Sequence, residues 1–208
     1  PPNVYDMTWY GEEDQSSNID LIGDDPDGDD FTFSIVDSAS HGTTTIEGSV
    51  VTYTPVANYN GSDSFTYQAD DGNSENNLSS PATISMTIIA VNDPPVVADT
   101  TLENISDGSI FTLNASDVDG TTPTIILIPS DDSGVGQTIF GGTITSSAGV
   151  FTYHAPSQSV DTDFIMFKAN DGISESNLAL VTFNIPGGSV LINRNGETAS
   201  NQPVSVAE

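Results

Sequence analysis

The sequence predicts an all-β chain folded as two tandem Greek-key β-sandwich domains. Three observations predict it: apolar residues alternate with polar ones, turn-forming clusters separate those runs at short intervals, and a set of segments occurs twice in the same order.

The alternation is plain in Phe31-Thr32-Phe33-Ser34-Ile35, in Ser64-Phe65-Thr66-Tyr67 and in Ile84-Ser85-Met86-Thr87-Ile88. A period of two sends one set of side chains to a core and the other to solvent, as in a half-buried strand. Between such runs lie Asn58-Tyr59-Asn60-Gly61-Ser62-Asp63 and Ser130-Asp131-Asp132-Ser133-Gly134, which read as turns joining antiparallel strands. No stretch carries a sustained helical period with caps. The 26 Ser and 23 Thr suit a strand- and loop-rich chain. About seven short strands in roughly 93 residues fit an immunoglobulin-like sandwich better than a barrel or an α/β domain.

The repeat sets the domain count. Pro1-Pro2-Asn3-Val4 returns as Pro94-Pro95-Val96-Val97, and Asp25-Pro26-Asp27-Gly28 returns as Asp117-Val118-Asp119-Gly120. Val51-Thr52-Tyr53-Thr54 returns as Phe151-Thr152-Tyr153-His154. The segment from Tyr67 to Glu75, with Ala69-Asp70-Asp71-Gly72, matches that from Phe167 to Glu175, with Ala169-Asn170-Asp171-Gly172. Repeats are therefore expected over residues 1–93 and 94–186, joined at Val91-Asn92-Asp93-Pro94-Pro95. Residues 187–208 are expected to be a tail or the first strand of a following repeat.

Charge narrows the function. Thirty acidic side chains face two basic ones, Lys168 and Arg194, for a formal net charge of −28. Such a chain repels DNA and anionic lipid, so nucleic acid and membrane insertion are excluded as partners. Without cysteine there is no disulfide framework, thiol nucleophile or zinc ribbon. No apolar run of about 18 residues exists. No charged and then apolar leader precedes Pro1, and the chain is expected to be part of a longer polypeptide.

The carboxylates point to a hard cation. In Asp25-x-Asp27-Gly28 and Asp117-x-Asp119-Gly120, alternate carboxylates leave the same side of an extended turn and the Gly allows the bend after them. Asp71 and Asp171 come from a later loop, Asn92 and Asp93 from the linker, and Glu12, Glu13 and Asp14 from near the opening strand. Glu103 is the comparable carboxylate of the second repeat. Were these loops to meet at one pole, about six to eight oxygens would converge, as Ca²⁺ prefers. Taken singly, Asp-x-Asp-Gly is also an ordinary turn in which Asp caps its own backbone. It is not an EF-hand, because Asp30 and Val36 stand where that loop needs Gly and Glu.

Linker Asn-Asp-Pro-Pro, Asp-x-Asp-Gly, Ala-x-Asp-Gly and an early Glu resemble the calcium signature of cadherin repeats. The likeness is to bacterial cadherin-like and immunoglobulin-like tandem repeats of large secreted surface adhesins, of the RTX-adhesin extender type. It covers about residues 1–186 and is closer in the first repeat, since the second has Thr121-Thr122 after its Asp-x-Asp-Gly and no Asn-Tyr-Asn-Gly segment. The resemblance implies an interdomain Ca²⁺ site using Glu12 or Glu13, Asn92, Asp93, Asp117, Asp119 and Asp171. It also implies that Asp25, Asp27 and Asp71 form half of a junction with a preceding domain.

Other residues read as structure. Tyr53, Tyr67, Tyr153 and Phe167 fall at core positions of strands, and His41 and His154 lie in different repeats with no Cys for zinc. No catalytic residues are assigned, and no enzymatic role is expected. The expectation is a calcium-rigidified, extracellular spacer, monomeric and bonded to neighbouring repeats of its own polypeptide, serving adhesion and biofilm formation. The alternative is a calcium-dependent module for carbohydrate or another cell surface, with Trp9 and Tyr10 as its aromatic candidates. Homotypic adhesion is a third reading.

Overall fold

The computed structural model describes residues 1–73, 77–130 and 136–186. The expected tail or strand over 187–208, the turn residues 131–134 and positions 74 and 75 of the repeat lie outside the described residues. The chain divides into two units, Pro1–Val91 and Asn92–Glu208. The sequence suggests a boundary after residue 93. The structure instead groups Asn92 and Asp93 with the second unit, where they hydrogen-bond to Asp171 and Asp119.

The first unit holds β1 (Asn3–Val4), β2 (Met7–Glu12), β3 (Ser17–Asp20), β4 (Gly23–Asp24), β5 (Thr32–Asp37), β6 (Gly42–Glu47), β7 (Val50–Pro55), β8 (Gly61–Asp70) and β9 (Ala82–Ile89). One sheet has the order β2-β9-β8-β5, a second has β3-β7-β6, and β1 pairs with β4. Setting the two-residue pair aside leaves the seven strands of a sandwich. β2 runs parallel to β9 over six residue pairs, Met7↔Ile84 to Glu12↔Ile89, and the other pairings are antiparallel. The alternation does what its period requires: Val51 and Tyr53 of β7 and Phe65, Tyr67, Ile84 and Met86 of β8 and β9 are buried in one core. Each such aliphatic or aromatic side chain contributes about 1.5–3 kcal/mol of burial.

The second unit repeats the plan with β10 (Val96–Val97), β11 (Thr100–Leu102), β12 (Ile110–Phe111), β13 (Ala115–Ser116), β14 (Thr124–Ile128), β15 (Gly136–Gln137), β16 (Thr143–Ser147), β17 (Val150–His154), β18 (Thr162–Asn170) and β19 (Ala179–Asn184). Its sheets are β11-β19-β18-β14 and β12-β17-β16-β15, with β10 paired to β13. Again the opening strand is parallel to the closing one, here over three residue pairs only, Thr100↔Val181 to Leu102↔Phe183. Tyr153, Phe167, Val181 and Phe183 fill its core. No helix occurs among the described residues.

One local expectation changes, and one pair of candidates separates. The run Asn58 to Asp63 is turn only as far as Asn60, because β8 begins at Gly61 and carries Asp63 inward. Trp9 is half-buried and packs against the core, the reading its sequence position favours: it meets Tyr53 edge-on with ring centroids 6.1 Å apart and lies across Gly11, where a Cβ would overlap its ring. Tyr10, one residue on, is 66% exposed.

Candidate functional site

In the second unit the linker and both acidic loops meet. The turn Asp117-Val118-Asp119-Gly120 is closed by Gly120 at φ +78°, a conformation that favours glycine, and Asp119 N–H donates to Asp117 Oδ1 at 2.9 Å. Asp119 Oδ2 in turn accepts the Asp93 N–H at 2.8 Å. Asp171 follows the end of β18, where its Oδ1 accepts the N–H groups of Ile173 and Ser174 at 2.7 Å each. Its Oδ2 takes the Ser174 hydroxyl and the Asn92 side-chain amide, both at 3.0 Å. Donation from Ser174 N–H, then from the Asn92 amide and Ile173 N–H, holds the Asp171 carboxyl well below the usual carboxylate range. Asp171 is thus an anion at any physiological pH.

The first unit shows the same loops. Asp25 Oδ1 accepts the N–H of Asp27 at 2.8 Å, and Gly28 closes that turn at φ +79°. Asp71 Oδ1 accepts Asn73 N–H at 2.9 Å, while Asn73 Nδ2 reaches Asp29 Oδ2 at 3.0 Å and ties the two loops together. The Asp71 side chain is 3% exposed, with its Oδ2 3.9 Å from the Pro1 nitrogen. Asp25 Oδ2 is buried without a hydrogen-bond partner. A buried carboxylate oxygen in that state is costly unless a cation or donor reaches it, which fits a metal ligand.

The early glutamates differ from each other. Glu12 ends β2 and is exposed, whereas Glu13 is 2% exposed, accepts Val91 N–H on Oε1 at 2.8 Å and faces the Asn60 amide on Oε2 at 3.3 Å. Glu13 therefore fastens the end of the first unit to its opening strand. Glu103 directly follows Leu102 of the short β11 and accepts from the Asn184 amide at 2.9 Å. By register it occupies the place of Tyr10, not of Glu12 or Glu13.

Among the described residues no three acidic or histidine side chains are grouped so as to hold an ion as they stand. The physical reason lies in the donors: N–H groups of Asp93, Asn92, Ile173 and Ser174 occupy the carboxylate oxygens a cation would use. The donor set is nonetheless all oxygen, and turning the Asn92 amide presents its carbonyl oxygen in place of its NH₂. Such a set suits Ca²⁺ rather than zinc.

One constellation was missed in the sequence. Asp63 accepts the N–H groups of Ser40, His41 and Ser64 and the Tyr53 hydroxyl, all at 2.8–2.9 Å. Asp163 accepts the N–H groups of Phe140 and Phe164 and the hydroxyls of Thr138 and Tyr153. The signal was available, since both Tyr and both Asp recur at the same separation of 100, but Asp63 lies in an Asn-Gly-Ser-Asp run that reads as a turn. The role is structural: Asp63 fastens the loop joining β5 to β6 of the other sheet, and Asp163 fastens the loop joining β15 to β16.

Comparison with known proteins agrees with this architecture. Residues 1–87 match the family described as a bacterial Ig domain. A two-repeat structure of human protocadherin-24 (EC1-2) superposes with a TM-score of 0.55 at 14% identity, covering 89% of this chain and 98% of that one. Drosophila N-cadherin EC1-4 gives 0.53 at 15% identity, covering 86% of this chain and 49% of that one. Residues 1–87, most of the first unit, are thus similar to bacterial immunoglobulin-like domains, and the chain as a whole has the fold of tandem immunoglobulin-like, cadherin-like sandwiches. Integrin beta-like protein E of Dictyostelium discoideum is 27% identical over 99% of the chain, which spans 12% of that relative's length.

Proposed function

We propose that these domains are calcium-rigidified extender repeats of a bacterial cell-surface adhesin, acting outside the cell as a spacer in adhesion and biofilm formation and not as an enzyme. The observation that carries the reading is the meeting of Asn92 with Asp171 and of Asp93 with Asp119. A linker seated on two acidic loops of the unit it enters is where a cation would govern how that linker is held.

Asn92, Asp93, Asp117, Asp119 and Asp171 would hold Ca²⁺, with Glu12 or Glu13 supplied from the preceding repeat, and the ion would neutralise carboxylates that otherwise repel. Asp25, Asp27 and Asp71 would serve a preceding domain in the same way. Pro94 and Pro95 restrict the linker through fixed φ and an extended bias on their neighbours. Extracellular modules bind calcium with dissociation constants of about 10⁻⁴ to 10⁻³ M. Free calcium at ~100 times that constant would add about 2.7 kcal/mol.

Calorimetric titration with Ca²⁺, with melting and small-angle scattering in calcium and in chelator, tests the reading on the wild type and on Asp119→Ala/Asp171→Ala. Saturable binding, a higher melting temperature and a longer, narrower particle in calcium, all absent from the variant, are expected. Melting and scattering curves identical in calcium and chelator would overturn it.

A further inference from the structure

The outer face of the sheet β2-β9-β8-β5 carries a groove that the calcium reading does not use. Two rows of exposed side chains cross three strands in register: Thr8, Ser85 and Ser64 in one, Tyr10, Thr87 and Ser62 in the other. Thr8, Ser85, Ser64, Thr87 and Ser62 floor an open groove of about 490 Å³, whose rim includes His41, and Tyr10 stands next to Thr87 beside it. The His41 ring stacks on Tyr59 with centroids 4.0 Å apart and planes within 2°, and the Tyr59 hydroxyl donates to Ser62 O at 2.6 Å, so the rim is held in place. Asp63 also lines the groove, but its oxygens are taken by four donors.

We propose that this groove binds a neutral polysaccharide chain, with Tyr10 stacking on a sugar ring and the Ser and Thr hydroxyls exchanging hydrogen bonds with sugar hydroxyls. Charge selects the ligand. In a chain of net charge −28, six outward positions here carry no ionised group, so an uncharged polyol meets no repulsion while an anionic polymer is turned away by the surroundings. Strands about 4.8 Å apart repeat the hydroxyl rows on the scale of one pyranose ring. An exposed tyrosine supplies a flat apolar face and a polar tip, the surface a sugar ring requires.

The second unit shows what closes such a face. The register that gives Thr8, Ser85 and Ser64 in the first unit gives Thr101, Thr182 and Phe164 in the second, and Glu103 follows where Tyr10 stands. Phe140 packs on Phe164 with centroids 6.0 Å apart, so the equivalent floor is covered by aromatic rings. Among the described residues, this hydroxyl-lined floor belongs to the first unit.

Native-gel affinity electrophoresis tests this, with dextran, laminarin or mannan cast in the gel, alginate as the anionic control, and runs in calcium and in chelator. The wild type is expected to be slowed at least twofold by one neutral polysaccharide, equally in chelator, and not by alginate. Ser64→Phe, which copies the second unit, should abolish retardation, and Tyr10→Ala should weaken it severalfold, with melting temperatures showing both variants folded. Should Ser64→Phe fail to fold, Tyr10→Ala alone decides. No retardation by any neutral polymer, equal retardation by alginate, or retardation unchanged in the folded variants would overturn the proposal. Retardation lost in chelator would also overturn it, by moving binding to the calcium residues, whereas failure of the calcium titration leaves the groove untouched.

Discussion

Tyr153 donates its buried hydroxyl to Asp163 across 3.0 Å, and one hundred residues earlier Tyr53 does the same to Asp63 across 2.9 Å. Each carboxylate accepts four hydrogen bonds, and asparagine presents one oxygen where aspartate presents two. Asp63→Asn and Asp163→Asn should each lower the stability of their own unit by about 2–4 kcal/mol in denaturant titrations. Tyr153→Phe should cost about 1–2 kcal/mol, since it removes one donor and leaves the carboxylate its other three.

Asp63 and the two tyrosines bear on the pH limits. Burial works to raise the Asp63 carboxyl, but N–H donation from Ser40, His41 and Ser64 and the Tyr53 hydroxyl outweigh it and hold it below its ordinary value. Asp171 is lowered too. A depressed folded pKa contributes stability that is present above the unfolded value, about 4 for a carboxylate, and is lost as pH falls through the folded one. Melting temperature should be flat between about pH 5 and 9 and fall below about pH 4, with a shallower fall in Asp171→Asn.

At the alkaline end the sign reverses. Burial first, and then Asp63 or Asp163, raise the Tyr53 and Tyr153 hydroxyls. A raised folded pKa gives stability that is complete below the unfolded value of about 10 and is lost as pH climbs through the folded one. Tyr153→Phe should therefore blunt the alkaline loss of the second unit. An unchanged alkaline limb in that variant would count against this assignment.

Gly42 and Gly142 are required by close approach. A Cβ on Gly42 would lie 2.4 Å from the Tyr53 ring, and one on Gly142 would lie 2.7 Å from Asp163 Oδ2. Gly42→Ala and Gly142→Ala should each cost about 1–3 kcal/mol, read from denaturation midpoints at unchanged m-value. Wild-type midpoints in both would mean that the loops yield at no cost.

Much of this was legible in the sequence. The period of two in Ile84 to Ile88 gave β9 and its buried face, and the repeat gave two domains of like topology. The association of Asn92 and Asp93 with Asp119 and Asp171 was readable through the resemblance to cadherin repeats, since Asp-x-Asp-Gly and the later Asp-Gly loop recur while the Asn-Asp of the linker occurs once. Asp63 was not, because an inward carboxylate is spelled with the same letters as a turn and only its partners, Tyr53 and the Ser40–His41 backbone, distinguish the two. Glu13 was readable as an acid but not as a buried one, since burial rests on Val91 and Asn60, far away in sequence. The exposure of Tyr10 against the inward packing of Trp9 follows from which residue faces Tyr53, and alternation alone leaves that choice of face open.

The parallel pairing of opening and closing strands matters once a chain of this kind is pulled. Tension applied at the two ends of a unit runs along the parallel ladder and shears its hydrogen bonds together, instead of opening them one after another. In the first unit that ladder has six residue pairs, and in the second it has three. Single-molecule stretching should show two unequal rupture forces, and two equal ones would refute the inequality. On this expectation the second unit would be the mechanical fuse of the pair, lengthening first, taking up the load as unfolding and leaving its neighbour folded.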